Sequence, residues 1–337
     1  MTANDSNPTP AFLRQELEEG TTRSKAALKR MAAQRAAKKV DTKKAAAKRD
    51  SGVTVADDGA KGKPADWRLG HTIGLMLLLA LIVAACVLFP RWAAGETLGV
   101  GSGTWRLGLW LLTVVLLGGS FVLIGHGAVG LANGCLIDNR NRLSLSRLQQ
   151  FSWTVLVLSA FLTFASFETS ANPNGDPLDV GVPTQVWSLL LISTGSLTGA
   201  AFIKNRKRNL SVDEKDIQEP LDKTKEAMTA SEGKSLDHQS ILATKKEPQN
   251  ASIADLFRGD EVGSAAQLEL GKVQMFFFTL IVLFAYAANL GFIFYGPRGL
   301  PAGLPDVSEG MVVLLLISHA GFLGSKAIPA SPTSTAA

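Results

Sequence analysis

The sequence predicts an all-α integral membrane protein that crosses the bilayer about six times and contains an internal, parallel duplication of a two-helix hairpin. Apolar stretches of about 20 residues, the length that spans a bilayer as a helix, recur along the chain. Charged residues are concentrated between these stretches, and two parts of the chain match each other at one constant spacing. This distribution excludes a soluble globular protein.

Six apolar segments are the predicted spans: 69–89, 107–131, 151–167, 186–203, 273–294 and 311–328. Pro90 is expected to close the first span and Gly296-Pro297 the fifth, because proline interrupts helical hydrogen bonding. The predicted organisation is a basic tail (1–66), a first helix pair (67–135), hairpin repeat 1 (136–204), a disordered loop (205–262), hairpin repeat 2 (263–328) and a disordered C-terminal segment (329–337). The loop is expected to be disordered because it is polar and poor in aromatic residues.

Basic residues beside the spans predict the orientation, since they are retained on the cytoplasmic side. They cluster before the first span, between the second and third, and after the fourth, whereas the opposite side holds Arg91, Arg106 and Arg298. We therefore expect a multi-pass protein of the plasma membrane (the inner membrane in a cell with two), with both termini and the 205–270 loop in the cytoplasm.

The duplication is carried by polar residues as well as apolar ones. Residues 125 positions apart correspond in type: Arg147 with Lys272, Gln149 with Gln274, Thr154 with Thr279, and the run Leu189–Ser193 with Leu314–Ser318. Two apolar runs can resemble each other by chance, because few residue types dominate them. A chance match would not also place the same polar residues, Gln, Thr and Ser, at one ungapped spacing. Each unit holds two spans, so both units begin on the same side, as in parallel repeats about an axis along the membrane normal.

A few polar residues within the spans are candidates for a pore or a polar helix interface: Gln149, Gln274, Ser152, Ser159, His126 and His319. Such groups are costly in a membrane and often functional. Against a pore, small hydroxyls commonly bond to their own helix, and the positions of the fifth span that correspond to Ser152 and Ser159 are the apolar Phe277 and Phe284. The absence of a carboxylate near mid-span also weakens the case for a coupled transporter. Structural roles are the favoured interpretation.

Small residues four positions apart predict close helix packing. Gly195 and Gly199 form such a pair in the fourth span, and Ala320 and Gly324 form one in the sixth. Because Gly199 and Gly324 correspond in the repeat, we expect both to tolerate a larger side chain equally poorly.

The tail holds a dense basic segment, with eleven basic residues and one acidic residue between positions 21 and 49. The predicted contacts with anionic lipid are Arg23, Lys29, Arg30, Arg35, Lys38, Lys39, Lys43 and Lys44. Each basic residue near an anionic surface contributes about 1 kcal/mol of attraction. The tail is tethered beside the bilayer, so lipid is the expected partner and nucleic acid is not.

No motif points to chemistry. Two cysteines and four scattered histidines predict neither a disulfide framework nor a metal site, and no phosphate-binding or catalytic signature is present. We expect no enzyme activity and no cofactor. The expected function is a membrane scaffold or assembly component that forms homo-oligomers through its small-residue faces. The alternative is a small channel or transporter with its path at the repeat interface.

Overall fold

The computed structural model describes residues 67–95, 102–172, 176, 179–296, 300, 301 and 303–330. Within these residues six helices are long and apolar enough to cross a membrane: α1 (Leu69–Ala94), α2 (Ser102–Val129), α3 (Leu145–Ala171), α4 (Thr184–Arg208), α7 (Leu270–Tyr295) and α8 (Glu309–Ala327). The expectation of an all-α, multi-pass membrane protein is confirmed at this level. The basic tail and its predicted lipid contacts lie outside the described residues, as do residues 331–337.

Several helices extend past the predicted spans. The helix α1 continues through Pro90 to Ala94, so the predicted stop at Pro90 is wrong. Proline there removes a single donor near the helix end, and the turn is completed when Gly95 N–H donates to the Arg91 carbonyl (3.1 Å). The helix α2 begins before Arg106, whose guanidinium donates to the Gly296 carbonyl at 2.5 Å.

The helix α3 lies at the centre of the bundle. It packs against α1, α2, α4 and α7, while α4 also packs against α8 and α7 against both α2 and α8. The main core lies between these helices and is aromatic and aliphatic, including Trp153 and Phe164 of α3 and Tyr286 and Phe294 of α7. Gly181 lies in the connection between α3 and α4, and Leu304 lies in the connection between α7 and α8. The Leu304 N–H donates to the Gly181 carbonyl (2.8 Å) and so links the two hairpins.

At the opposite end of the bundle, residues 209–269 form a small folded segment that we call the cap. It contains α5 (Glu214–Ala227), α6 (Ala230–Ser235), an antiparallel hairpin of β1 (Leu236–Gln239) and β2 (Leu242–Lys245), and short 3-10 turns. The predicted disorder of residues 205–262 is therefore wrong. The low aromatic content of this segment indicated disorder, but aliphatic residues are sufficient to form its small core.

The cap has its own core. Ile217 and Leu221, one turn apart on α5, are buried with Ile241, Ala243 and Val262. The spacing of four residues places the first two on one helix face, against the hairpin and the turn that follows it. The cap is joined to the membrane helices by charged side chains and by an apolar cluster in which its Leu256 and Phe257 pack with Met275, Phe276 and Phe322.

Candidate functional site

A tight turn carries the first charged residues of the site. Residues 138–142 reverse the chain between Ile137 and Leu143, which pair as an isolated antiparallel bridge. Asn141 has a φ of 57°, a left-handed conformation that asparagine tolerates better than most residues. Oδ1 of Asp138 accepts the backbone N–H groups of Arg140 (3.0 Å) and Arg142 (3.3 Å), so this carboxylate organises the turn from which both arginines project.

These residues belong to a buried charge network that joins the turn, the cap and three helix ends. Its members are Asp138, Arg140, Arg142, Lys204, Lys207, Lys245, Asp255, Asp260, Glu261, Lys272 and Lys326. The most exposed of their side chains, that of Lys204, is 16% exposed. Buried charges are tolerated only when paired and hydrogen-bonded, so each contact in the network matters for stability.

Asp260 is the hub of the network. Its Oδ1 accepts from Nη2 of Arg140 at 2.7 Å and from Nζ of Lys272 at 3.2 Å, and its Oδ2 pairs with Nζ of Lys326. The carboxylate therefore connects the 138–142 turn, the first turn of α7 and the last turn of α8. A single cap residue holds three separate parts of the membrane bundle.

Two further carboxylates hold the cap. Asp255 lies 3.3 Å from Nε of Arg142 and 2.9 Å from Nζ of Lys245. Glu261 lies 2.5 Å from Nζ of Lys207, and its other oxygen accepts the backbone N–H of Ala330 at 2.7 Å. The chain beyond α8 is thereby pinned to the cap.

The network contains seven basic and four acidic residues, and a fifth carboxylate, that of Glu269, lies 3.4 Å from Nζ of Lys272, which leaves an excess of two basic residues. Backbone carbonyls offset part of it: Gly259 accepts from Arg142 (2.7 Å), Asn250 from Lys245 (2.8 Å) and Ile328 from Lys207 (3.1 Å). The cap end of the bundle therefore has a positive interior, which attracts anions.

Two groups of the turn have altered pKa values. Burial alone would raise the pKa of Asp138, but the charges of Arg140 and Lys204 outweigh it and hold that pKa well below its usual range. Burial, reinforced by the neighbouring charge of Arg140, lowers the pKa of Arg142 to about 10, although Asp255 opposes the shift. Both groups are therefore charged at neutral pH.

A second polar cluster lies between the hairpins. Nε2 of Gln149 donates to Oγ1 of Thr279 at 2.6 Å, and Oε1 of Gln149 is 3.2 Å from Nε2 of His319. Nδ1 of His319 donates to the Leu315 carbonyl at 2.8 Å, so in a neutral ring Nε2 is an acceptor. The His319–Gln149 contact therefore requires a protonated ring or an amide turned by half a rotation.

The other predicted pore residues are not brought into this cluster. Ser152 donates to the Leu148 carbonyl and Ser159 to the Leu156 carbonyl, so both hydroxyls are satisfied within α3. Gln274 is exposed, whereas Gln149 is buried, so the two glutamines do not share an environment. His126 is also exposed, with Nδ1 at 3.0 Å from Nε2 of His71 on α1.

The predicted packing glycines also differ from one another. A Cβ at Gly199 would lie 3.1 Å from the Leu323 side chain of α8, so this residue does allow close approach. A Cβ at Gly195 or Gly324 would meet nothing within 4 Å, and Ala320 is exposed. At these three positions the structure shows no close helix contact within the chain, and their predicted packing role stays a prediction. The buried face of α4 is formed instead by residues such as Ser193, Ser196 and Ala200.

Sequence reasoning missed most of the charge network. None of its four carboxylates was predicted as a site residue: Asp138, Asp255, Asp260 and Glu261. One signal was present, because the 209–270 segment is rich in acidic residues and follows helix ends rich in basic ones. That complementarity indicates ionic docking when the acidic segment can fold, which the disorder prediction had excluded.

The described residues contain no group of three or more side chains placed to hold a metal ion. No family model, no curated protein and no solved structure matches the chain. The class of protein therefore follows from the structure alone: it is a multi-pass helical membrane protein whose cap is attached to the helix ends through ion pairs.

Proposed function

We propose that the protein is a structural component of its membrane, a scaffold whose cap presents a rigid surface at one membrane face. The observation that carries the proposal is the packed core along the α3–α7 interface, where a transmembrane path between the repeats would run. Trp153, Leu156 and Phe164 of α3 meet Val282 and Phe294 of α7 there. A conducting path needs polar or hydrated lining along its length, and apart from the Gln149–Thr279 contact the core of this interface is formed by aromatic and aliphatic side chains.

The charge network supports the same proposal. A transporter that changes conformation needs helix ends that can move relative to one another. Here Asp260 and Glu261 join the ends of α4, α7 and α8 through Lys207, Lys272 and Lys326. Separating these ends would expose or orphan several buried charges at once, which favours a fixed bundle.

A flux measurement tests this function. The full chain is reconstituted in liposomes, and the uptake of sodium, potassium and protons is compared with that of empty liposomes. We expect no flux above the empty control, together with a stoichiometric protein that copurifies in mild detergent. Flux above the control that is lost on replacing Gln149 with leucine would contradict the scaffold proposal.

The second candidate is a small channel or transporter, favoured by the Gln149–Thr279–His319 cluster. On α4 and α8, the hydroxyls of Ser196 and Ser318 are buried and have no hydrogen-bond partner among the described residues. A seam of such groups is typical of interfaces that admit water. The same liposome assay separates the two candidates, since flux sensitive to His319→Leu would support this one.

We further infer that the two hairpins are a parallel duplication. The corresponding polar residues, 125 positions apart, support it. The buried faces follow a different spacing and do not add support: Gln149, Trp153, Leu156, Ala160 and Phe164 are buried on α3, and Met275, Thr279, Val282, Tyr286 and Leu290, each 126 positions later, are buried on α7. The one-residue difference from the sequence spacing corresponds to a rotation of about 100° about the helix axis. An experimental map in which the hairpins do not superpose by rotation about the membrane normal would contradict the duplication.

For location we propose the plasma membrane, with both termini and the cap in the cytoplasm, homo-oligomers as the assembly, and anionic lipid rather than nucleic acid as the partner of the tail. The basic residues at the ends of α4 and before α1 support this orientation. Reporter fusions at Asn209 and Gly175 test it, since they should report opposite compartments. The same compartment for both would refute the six-span topology.

A further inference from the structure

A cavity of about 330 Å³ lies beside the charge network, between the 138–147 segment and the last turns of α4. Its lining is basic on one side and apolar on the other. Arg140, Arg147, Lys204 and Arg208 are the basic residues of the lining, and Asp138 contributes its one carboxylate. Its volume falls within the range of about 300–1,000 Å³ that small-molecule sites occupy.

Two of the arginines that line the cavity make hydrogen bonds to neutral groups only. Nη1 of Arg147 donates to the Ile137 carbonyl at 2.6 Å, and Nη2 of Arg208 donates to Oδ1 of Asn205 at 3.2 Å. Neither guanidinium forms an ion pair with a carboxylate in the part of the chain that the structure describes. Arginine without a carboxylate partner is the residue that binds phosphate in two-pronged geometry.

The floor of the cavity also holds unused donors. Ser144 and Ser146, 8% and 3% exposed, line it, and their hydroxyls have no hydrogen-bond partner among the described residues. Both belong to the N-terminus of α3, a helix of 27 residues with Ser144 as its N-cap and no side-chain cap bond. The first N–H groups of a helix lack intrahelical partners and favour a negative group.

The remaining wall is apolar and continues onto the membrane surface of α4. Leu197, Ala200 and Ala201 line it, and Ala201 is exposed, one residue before the exposed Phe202. The apolar part of α4 ends there and the basic residues 204–208 begin. In a membrane-spanning helix this transition lies at the depth of lipid headgroups.

We propose that this cavity binds the phosphate of an anionic phospholipid, with the headgroup against Arg147, Arg208 and the N-terminus of α3 and an acyl chain along α4. Basic pockets at the end of transmembrane helices bind such headgroups. Phosphate is the recognised chemistry, and a soluble phosphate ester has the same group without the chain. The apolar wall beside Ala201 favours the lipid, because a soluble ester has nothing to place against it.

The binding of short-chain phosphatidylglycerol to the full chain in detergent tests the proposal, with phosphatidylcholine as the headgroup comparison. Binding is followed by native mass spectrometry and by the rise in the melting midpoint. The informative variants are Arg208→Gln and Ser146→Ala. The matched control is Arg206→Gln, which removes an exposed arginine of the same helix turn that does not line the cavity.

We expect Arg208→Gln to weaken phosphatidylglycerol binding about tenfold, the effect of losing one charged hydrogen bond. Ser146→Ala should weaken it in the same direction, and Arg206→Gln should not. Any lipid bound by the N-terminal tail is common to all variants and cancels from the comparison. Because Arg208 is exposed, its replacement leaves the fold intact.

Glycerol 3-phosphate and inorganic phosphate form the second arm of the experiment. Binding of phosphatidylglycerol alone, sensitive to Arg208→Gln, supports the lipid source. Equal binding of glycerol 3-phosphate with the same sensitivity supports a phosphate site that serves a soluble ligand. Equal binding of phosphatidylcholine and phosphatidylglycerol, or equal effects of Arg206→Gln and Arg208→Gln, would overturn the proposal.

Discussion

Individual carboxylates determine how the cap is held. Asp260 pairs with Arg140, Lys272 and Lys326, which come from three different parts of the chain. Removing one member of a buried ionic group is more costly than the group is worth, because the remaining charges lose their partner without regaining water. The consequences of this asymmetry can be measured at single positions.

Asp260→Asn should destabilise the protein by about 3–5 kcal/mol, since it leaves three buried cations without their shared carboxylate. The measurement is the melting midpoint of the purified protein in detergent. The control is Asp216→Asn in α5, which changes the same chemical group at an exposed position. A similar midpoint for both variants would show that the network does not hold the cap.

Acidification should destabilise the protein through Asp138. Its folded pKa lies below the value of about 3.9 for a free aspartate, so its ionisation stabilises the fold above that pH and the contribution is lost as pH falls below about 4. The melting midpoint between pH 7 and pH 3 should therefore decrease more steeply for the parent than for Asp138→Asn. Parallel curves for the two proteins would contradict this role.

At the scale of the helices, contact between α4 and α8 replaces the symmetrical packing that the sequence predicted. Gly199 faces Leu323, while Gly324 faces open space. Sequence spacing identified both glycines as small positions on a helix. It could not determine which side of each helix turns toward the other.

Gly199→Leu should lower the melting midpoint, because the added side chain overlaps Leu323 and overpacking of this kind costs about 1–3 kcal/mol. Gly324→Leu is the matched control and should be nearly neutral. A loss of stability in Gly324→Leu as large as that in Gly199→Leu would indicate that the face of Gly324 packs against a second copy of the chain.

The sequence was sufficient for the existence and order of the six long helices, because a run of apolar residues long enough to span a bilayer is a strong local signal. It was insufficient for the helix ends and the cap. Those depend on pairs such as Lys326 with Asp260, which are 66 residues apart and whose benefit appears only after folding. The Gln149–Thr279–His319 cluster was predicted in part. Gln149 and His319 were both candidates for a polar interface and lie in contact, whereas Thr279 was predicted only as the repeat counterpart of Thr154.

At the scale of the whole molecule, the cap and the bundle should unfold together, because the charges that join them are buried from both sides. Replacing residues 211–252 with a flexible linker should therefore lower the melting midpoint of the membrane helices, because it removes Lys245 and most of the cap core. Deleting residues 1–60, which are poor in large apolar side chains, is the control and should leave the midpoint unchanged. An unchanged midpoint after the cap replacement would show that the two parts are independent.

The attachment of Ala330 to Glu261 has a consequence for biosynthesis. A chain emerges from the ribosome N-terminal end first and folds as it appears. Asp260 and Glu261 are made after Arg140 and Lys207 but before Lys326 and Ala330, so only part of their partners exist when the cap first emerges. The attachment of the cap to the bundle is therefore completed only after α8 is made, and a nascent chain halted before residue 326 should be more readily cleaved by protease within the cap than the full chain.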